Sequence, residues 1–173
     1  MNIFTKIGRA VTRVNDIAAG FASLLIYPLI LVLVYEVFMR YVLVRPTIYS
    51  YDLSWMMYVT FVMLGAGYAL GKDAHVKADV FYRRLTGRGK MIINMITFPA
   101  FFFVTMGAFL YTAFRQMRDA WIYGEAGFWT PWDYPLWPIR TVIFISVLLL
   151  TLQGAVKFAG LMKKPEEGKN HDA

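Results

Sequence analysis

The chain has no cysteine and only two histidines, and just 17% of its 173 residues are charged. Without cysteine, disulfides, iron–sulfur clusters and thiol catalysis are excluded. His75 and His171, the second in a polar tail, are too few for a bis-histidine haem or a multi-histidine metal centre. A G-x-x-x-x-G-K-[ST] phosphate loop is absent, and so is any Ser/His/Asp grouping, which removes that route to ATP hydrolysis and the usual nucleophilic triad. A soluble domain carries about 25% charged residues, so too little polar surface remains here to cover a globule in water.

What is present is apolar: 58% of the residues are hydrophobic and 17% aromatic. Lipid is the solvent such a composition fits, and a chain this short makes one bundle rather than two domains. The first two uncharged stretches, Ile17–Tyr35 and Leu53–Gly71, are each about 19 residues, or roughly 28 Å as helix, close to the ~30 Å hydrocarbon core. Met91–Phe114 is longer and spans with tilt. Thr141–Val156 is extended by Pro138 and Ile139 before it and by Phe158–Met162 after Lys157, whose amine can snorkel to the interface. These stretches predict an all-α integral membrane protein with four transmembrane helices, at about 14–43, 52–71, 91–118 and 138–162. Residues 1–162 form the single bundle and 163–173 a polar cytoplasmic tail. Pro28 and Pro99 should kink the first and third helices, whereas Pro135 and Pro138 suit the start of the fourth. The basic amino terminus is read as preceding a retained span rather than a cleaved signal, because the apolar run is long and lacks a small-x-small site.

Charge sets the orientation. With these spans, thirteen Lys and Arg residues fall on one side and five on the other. The formal charge of +7 therefore reads as a topology signal placing both termini in the cytoplasm, not as a nucleic-acid footprint. Trp55, Trp121, Trp129, Trp132 and Trp137 all fall beside the outer connections. An aromatic belt at headgroup level accounts for them, and a docking rim for an extracytoplasmic partner is the alternative. On the inner side, Val76, Val80, Phe81 and Leu85 can share one face of 73–90, opposite Lys77, Arg83, Arg84 and Arg88. That pattern predicts a short interfacial amphipathic helix between spans 2 and 3; a basic loop is the plainer alternative.

Few residues carry chemistry. Glu36 and Arg40 are four apart near the outer end of span 1, in the favourable order for a helical ion pair. Asp52 opens span 2 on the same side, within expected reach of Arg40 or Arg45. An arginine four residues away holds a carboxylate ionised, which suits a helix-fixing cluster better than a proton carrier. Gly67 and Gly71 form a G-x-x-x-G, which lets helices approach closely. His75 and Asp79 are also four apart, but two candidate ligands do not make a metal site. Near the middle of the spans there is almost no polar group beyond Gln153 and a few Ser and Thr, and no internal repeat is evident, so the chain reads as a subunit rather than a complete transporter.

The order of these pieces is familiar. Glu36-Val-Phe-Met-Arg40-Tyr41 closes span 1, Asp52-Leu53 opens span 2, and Leu64-Gly-Ala-Gly-Tyr-Ala-Leu70 precedes His75-Val-Lys-Ala-Asp79-Val. Together they resemble the small (Q-type) membrane subunit of tripartite ATP-independent periplasmic (TRAP) transporters, with Asp52 where that family often has Glu. The resemblance implies a non-catalytic scaffold in a bacterial or archaeal inner membrane, without a cofactor of its own. Its implied partners are membrane lipids, a large multi-span subunit holding the substrate and sodium sites, and a periplasmic substrate-binding protein that delivers an organic acid, a carboxylate or sulfonate. Glu36, Arg40, Asp52, His75 and Asp79 match the family pattern, and the resemblance implies structural or subunit-contact roles for them. Trp129, Trp132, Asp133 and Trp137, within or beside the Gly124–Arg140 segment, are the candidate docking rim. Two other classes remain as alternatives: a small four-span drug/proton exporter, which needs an unpaired deep glutamate, and the membrane anchor of a respiratory complex, which needs a second membrane histidine.

Overall fold

The computed structural model describes residues 3–72, 98–127 and 130–163, all of them helix or short connection. The expected interfacial helix with His75 and Asp79, the first residues of the expected third span, Trp129 and the tail from 164 onward lie outside the described residues.

The described residues form five helices in order: α1 (Ile3–Leu24), α2 (Ile26–Tyr41), α3 (Ser50–Gly71), α4 (Phe98–Tyr123) and α5 (Trp137–Lys163). Among the described residues, three stretches are long and apolar enough to cross a membrane: Lys6–Tyr41, which joins α1 and α2, then Ser50–Gly71 and Trp137–Gly160. The α1–α2 rod is interrupted at Leu25. Pro28 is the cause: with no N–H to give, it cannot bond the Leu24 carbonyl four residues back, so the ladder breaks beside that residue. Pro99 is the second residue of α4, and the carbonyl it would free belongs to Met95, outside the described residues. α4 continues to Tyr123, well past the uncharged stretch, because Arg115, Arg118 and Asp119 end a lipid span without ending a helix. Gly124 then closes α4 with φ +61°, a left-handed cap that costs glycine no Cβ clash.

The packing is a row more than a square. α5 lies against α3, α4 and α1; α4 packs chiefly on α5; and α2 packs chiefly on α3. α2 buries none of its residues, and only 6% of the most apolar window of the α1–α2 rod is buried within the chain, against 22% for α5. Aromatic and small residues knit the α4–α5 seam. Phe114 meets Phe144 at 5.8 Å, Phe103 meets Phe158 at 6.1 Å, and the Phe102 ring lies on Gly154, where an added Cβ would come within 2.2 Å of it. The outward faces carry Leu31, Val34 and Val37 on α2 and Phe101, Val104 and Tyr111 on α4, all exposed. Exposed apolar patches of this kind need lipid or another polypeptide as neighbour.

Candidate functional site

Two polar knots hold the bundle, one at each end. At the Lys6 end, α1 presents Asn15, 1% exposed, to α3 and α5. Its Nδ2 donates to the Val11 carbonyl at 3.0 Å and to Gln153 Oε1 at 3.3 Å, and Gln153 Nε2 reaches Thr12 Oγ1 at 3.4 Å. Gly67 and Gly71 are the floor of this knot. A Cβ on Gly67 would stand 2.0 Å from Asn15 Oδ1, and one on Gly71 would stand 2.8 Å from Gln153 Nε2. The G-x-x-x-G of α3 therefore receives two amide side chains, one from each neighbouring helix. Among the described residues no donor meets the buried Asn15 Oδ1, which rests against the glycine face. Lys157 lies half-buried near the same end and donates to the Leu70 carbonyl at 3.3 Å rather than reaching only outward.

At the opposite end, Glu36 is gripped from two sides. Its Oε1 accepts from Arg40 Nη2 at 2.5 Å and Nε at 3.0 Å, and its Oε2 from the Thr47 N–H at 3.1 Å and Oγ1 at 2.5 Å. The Thr47 hydroxyl also lies 2.5 Å from the buried Ser50 Oγ. The turn from α2 to α3 is thus tied to the α2 carboxylate. Glu36 is 13% exposed and Arg40 54%, so the arginine half of the grip competes with solvent while the Thr47 half is shielded. Arg40→Ala should lower the unfolding midpoint in detergent less than Glu36→Ala, which releases the Thr47 N–H and hydroxyl together; equal losses would contradict this division.

Asp52 departs from expectation. Among the described residues no arginine lies within ion-pair reach of it, neither Arg40 nor Arg45. Its carboxylate, in a residue 1% exposed, accepts instead from the hydroxyls of Thr130 and Tyr134, the latter at 3.1 Å. The reason is position: Asp52 sits in the first turn of α3, where the unbonded N–H groups favour a negative charge, so an arginine is not required. Its short side chain turns toward the α4–α5 connection and fastens it to α3. Burial, and then the hydrogen bond to Asp52, push the Tyr134 phenol above its ordinary range, so it stays a donor at neutral pH.

That connection is itself folded. Gly127 N–H donates to the Tyr134 carbonyl at 2.8 Å, and Leu136 N–H to the Glu125 carbonyl at 2.9 Å. Glu125 pairs with Arg140, which also donates to the Gln116 carbonyl at 3.2 Å. Gly127 is required where it stands, because a Cβ would come within 2.2 Å of the Tyr134 ring. Trp132 is half-buried between Tyr49, 6.3 Å away, and Tyr134, 5.0 Å away. Trp137 lies against Trp121 with ring centroids 4.6 Å apart and planes tilted by 46°, and the Trp121 indole donates to the Thr141 hydroxyl. Asp133 is exposed at the rim.

Among the residues picked from the sequence, Glu36 and Arg40 meet, Gly67 and Gly71 share the knot at the Lys6 end, and Trp132 and Trp137 join the α4–α5 connection. Arg45 is exposed beyond α2. Asn15, Thr47 and Thr130 were not singled out, although together with Tyr134 they complete the knots. Asn15 was the findable one, since it pairs with Gln153 as an amide flanking an apolar stretch. Among the described residues there is no group of three or more His, Cys, Asp or Glu fit to hold a metal.

A family profile described as the DctQ component of tripartite ATP-independent periplasmic transporters matches residues 29–164. The match takes in most of α2 and all of α3, α4 and α5, and leaves α1 outside it. No curated protein sequence matches the chain.

Proposed function

The chain belongs to the DctQ component family of tripartite ATP-independent periplasmic transporters, and from that premise we propose how this small multi-pass membrane subunit works. It is a non-catalytic scaffold that crosses the inner membrane four times with both termini in the cytoplasm and an interfacial helix over 73–90. It holds a large membrane subunit steady while that subunit moves an organic acid, a carboxylate or sulfonate, driven by a sodium gradient. Sodium and substrate bind the large subunit, a periplasmic binding protein delivers the substrate, and this chain carries no cofactor.

One observation carries the reading: the buried polar residues are engaged within the chain, with Asn15 Oδ1 alone among their described side-chain atoms resting on the Gly67 face without a donor. Asn15, Ser50, Asp52, Ser146 and Gln153 are the buried polar residues described, and each is hydrogen-bonded within this chain. A solute path needs polar groups facing a cavity, whereas Asn15 and Gln153 join α1 to α5, Asp52 ties α3 to the α4–α5 connection, Ser50 meets the turn before it and Ser146 bonds back to its own helix. The exporter alternative needs an unengaged membrane carboxylate, but Glu36 is held by Arg40 and Thr47 and Asp52 by two hydroxyls. The apolar outer faces of α2 and α4 are the surfaces that suit lipid and a large neighbour.

The outer connection gives the reading a second consequence, a docking role for the rim with Trp132, Asp133 and Trp137. Proteoliposomes holding both membrane subunits, with the binding protein outside and a sodium gradient imposed, test both parts. Omitting this chain should abolish uptake. Trp132→Ala should reduce it several-fold when binding protein is limiting and little when it saturates. Full uptake without the chain would overturn the scaffold role, and an equal loss at all binding-protein concentrations would overturn docking.

A further inference from the structure

α1 has a feature that neither the scaffold role nor the polar knots use. A cleft of about 1380 Å³ opens between its first turns and the end of α5. Small-molecule pockets hold roughly 300–1,000 Å³ and enclose their ligand; this one is larger and open along one side, which suits an elongated ligand already resident in the membrane. Its two halves differ in chemistry. Among the described lining residues, Lys6, Arg9 and Arg13 stand on the α1 side with one carboxylate, that of Asp16. Their spacing of three and four residues puts them along one face of the helix, and Lys6 and Arg13 are exposed. Leu152, Val156, Ala159 and Gly160 form the α5 wall, which carries no charge.

The depth of the cleft is fixed by its neighbours. Gly8 packs against Val156, and Asn15 reaches Gln153, so the first turns of α1 flank the last turns of α5. The Lys6–Tyr41 rod is 36 residues, about 54 Å at 1.5 Å per residue, well over the ~30 Å hydrocarbon core. Its charged beginning therefore extends to headgroup level while the apolar wall of α5 continues into the acyl region.

We infer that this cleft binds an anionic phospholipid: the phosphate sits among Lys6, Arg9 and Arg13, and an acyl chain lies along Val156 and Ala159. The charge pattern selects the occupant. A zwitterionic lipid brings a second cation into a rim already in positive excess, and a buried polypeptide seam would place the exposed Lys6 and Arg13 against apolar surface. Topology alone accounts for basic residues at this end, but not for an apolar groove lying directly beneath them.

Native mass spectrometry of the full chain, alone and in complex with its large partner, tests the inference with phosphatidylglycerol and phosphatidylcholine as probes. The chain should retain phosphatidylglycerol at least tenfold over phosphatidylcholine in both settings. The triple change Lys6→Gln, Arg9→Gln, Arg13→Gln should abolish that preference. Ala159→Trp, which keeps every cation but fills the groove, should abolish retention as well. Equal retention of the two lipids overturns the proposal. So does full retention by Ala159→Trp, which would mean that charge attracts lipid without a groove, and so does loss of lipid on complex formation, which would make the cleft a protein seam.

Discussion

Replacing Gly67 with leucine should prevent α1 from seating on α3 and leave a chain that cannot be recovered as a monodisperse species in detergent. The first added carbon already stands 2.0 Å from Asn15 Oδ1 and 3.0 Å from its Cγ. Asn15 has nowhere to go: it is 1% exposed, and its Nδ2 is committed to Val11 and Gln153. Moving it leaves the Gln153 Oε1 without that donor. Overpacking costs about 1–3 kcal/mol, and a stranded buried amide about 1–3 kcal/mol more. Gly65→Leu, two residues away on the same helix, meets nothing within 4 Å at its Cβ and should be nearly silent. A double change, Asn15→Ala with Gly67→Ala, should recover part of what Gly67→Ala loses, because the methyl then replaces the amide. Thermal unfolding in detergent reads all four variants. A Gly67→Leu chain as stable as its Gly65→Leu counterpart would mean that the Asn15 contact does not hold these helices together.

The second large effect should come from Asp52. Asp52→Ala removes the acceptor for both Thr130 and Tyr134, and the α4–α5 connection loses its tie to α3. Hydrogen bonds to a charged group are worth about 1.5–3 kcal/mol each, offset in part by no longer burying a carboxylate. A net loss of about 2–4 kcal/mol is expected. Asp52→Asn keeps one oxygen acceptor and should lose less than half as much. Limited proteolysis provides a second readout, because the residues around Thr130 should be cut faster once released. Unchanged cleavage together with an unchanged midpoint would show that Thr130 and Tyr134 hold their places by packing alone.

Much of this architecture could be read from residue order. The apolar runs mark the helices because a bilayer fixes their length, and Pro28 marks the break at Leu25 because a missing N–H always frees a carbonyl. The Glu36–Arg40 pair was legible for the same local reason, since spacing along one helix determines contact. What escaped was set by tertiary structure. Asp52 meets partners 78 and 82 residues away, and no spacing rule reaches that far. Gly67 and Gly71 announced a close approach but not what approaches; the occupants are amide side chains, where a second backbone is the usual partner of this motif. α4 runs on to Tyr123, beyond the span expected to 118, because Arg115, Arg118 and Asp119 mark the end of an apolar environment and not the end of a helix.

The scaffold reading turns on whether this chain offers any route for solute. The purified chain, reconstituted alone into liposomes with opposed sodium and organic-acid gradients, provides the most direct measurement. Flux indistinguishable from empty liposomes is the expected result, with uptake appearing only when the large subunit and binding protein are added. Saturable flux through the chain alone, abolished by Glu36→Gln, would show that it carries solute itself.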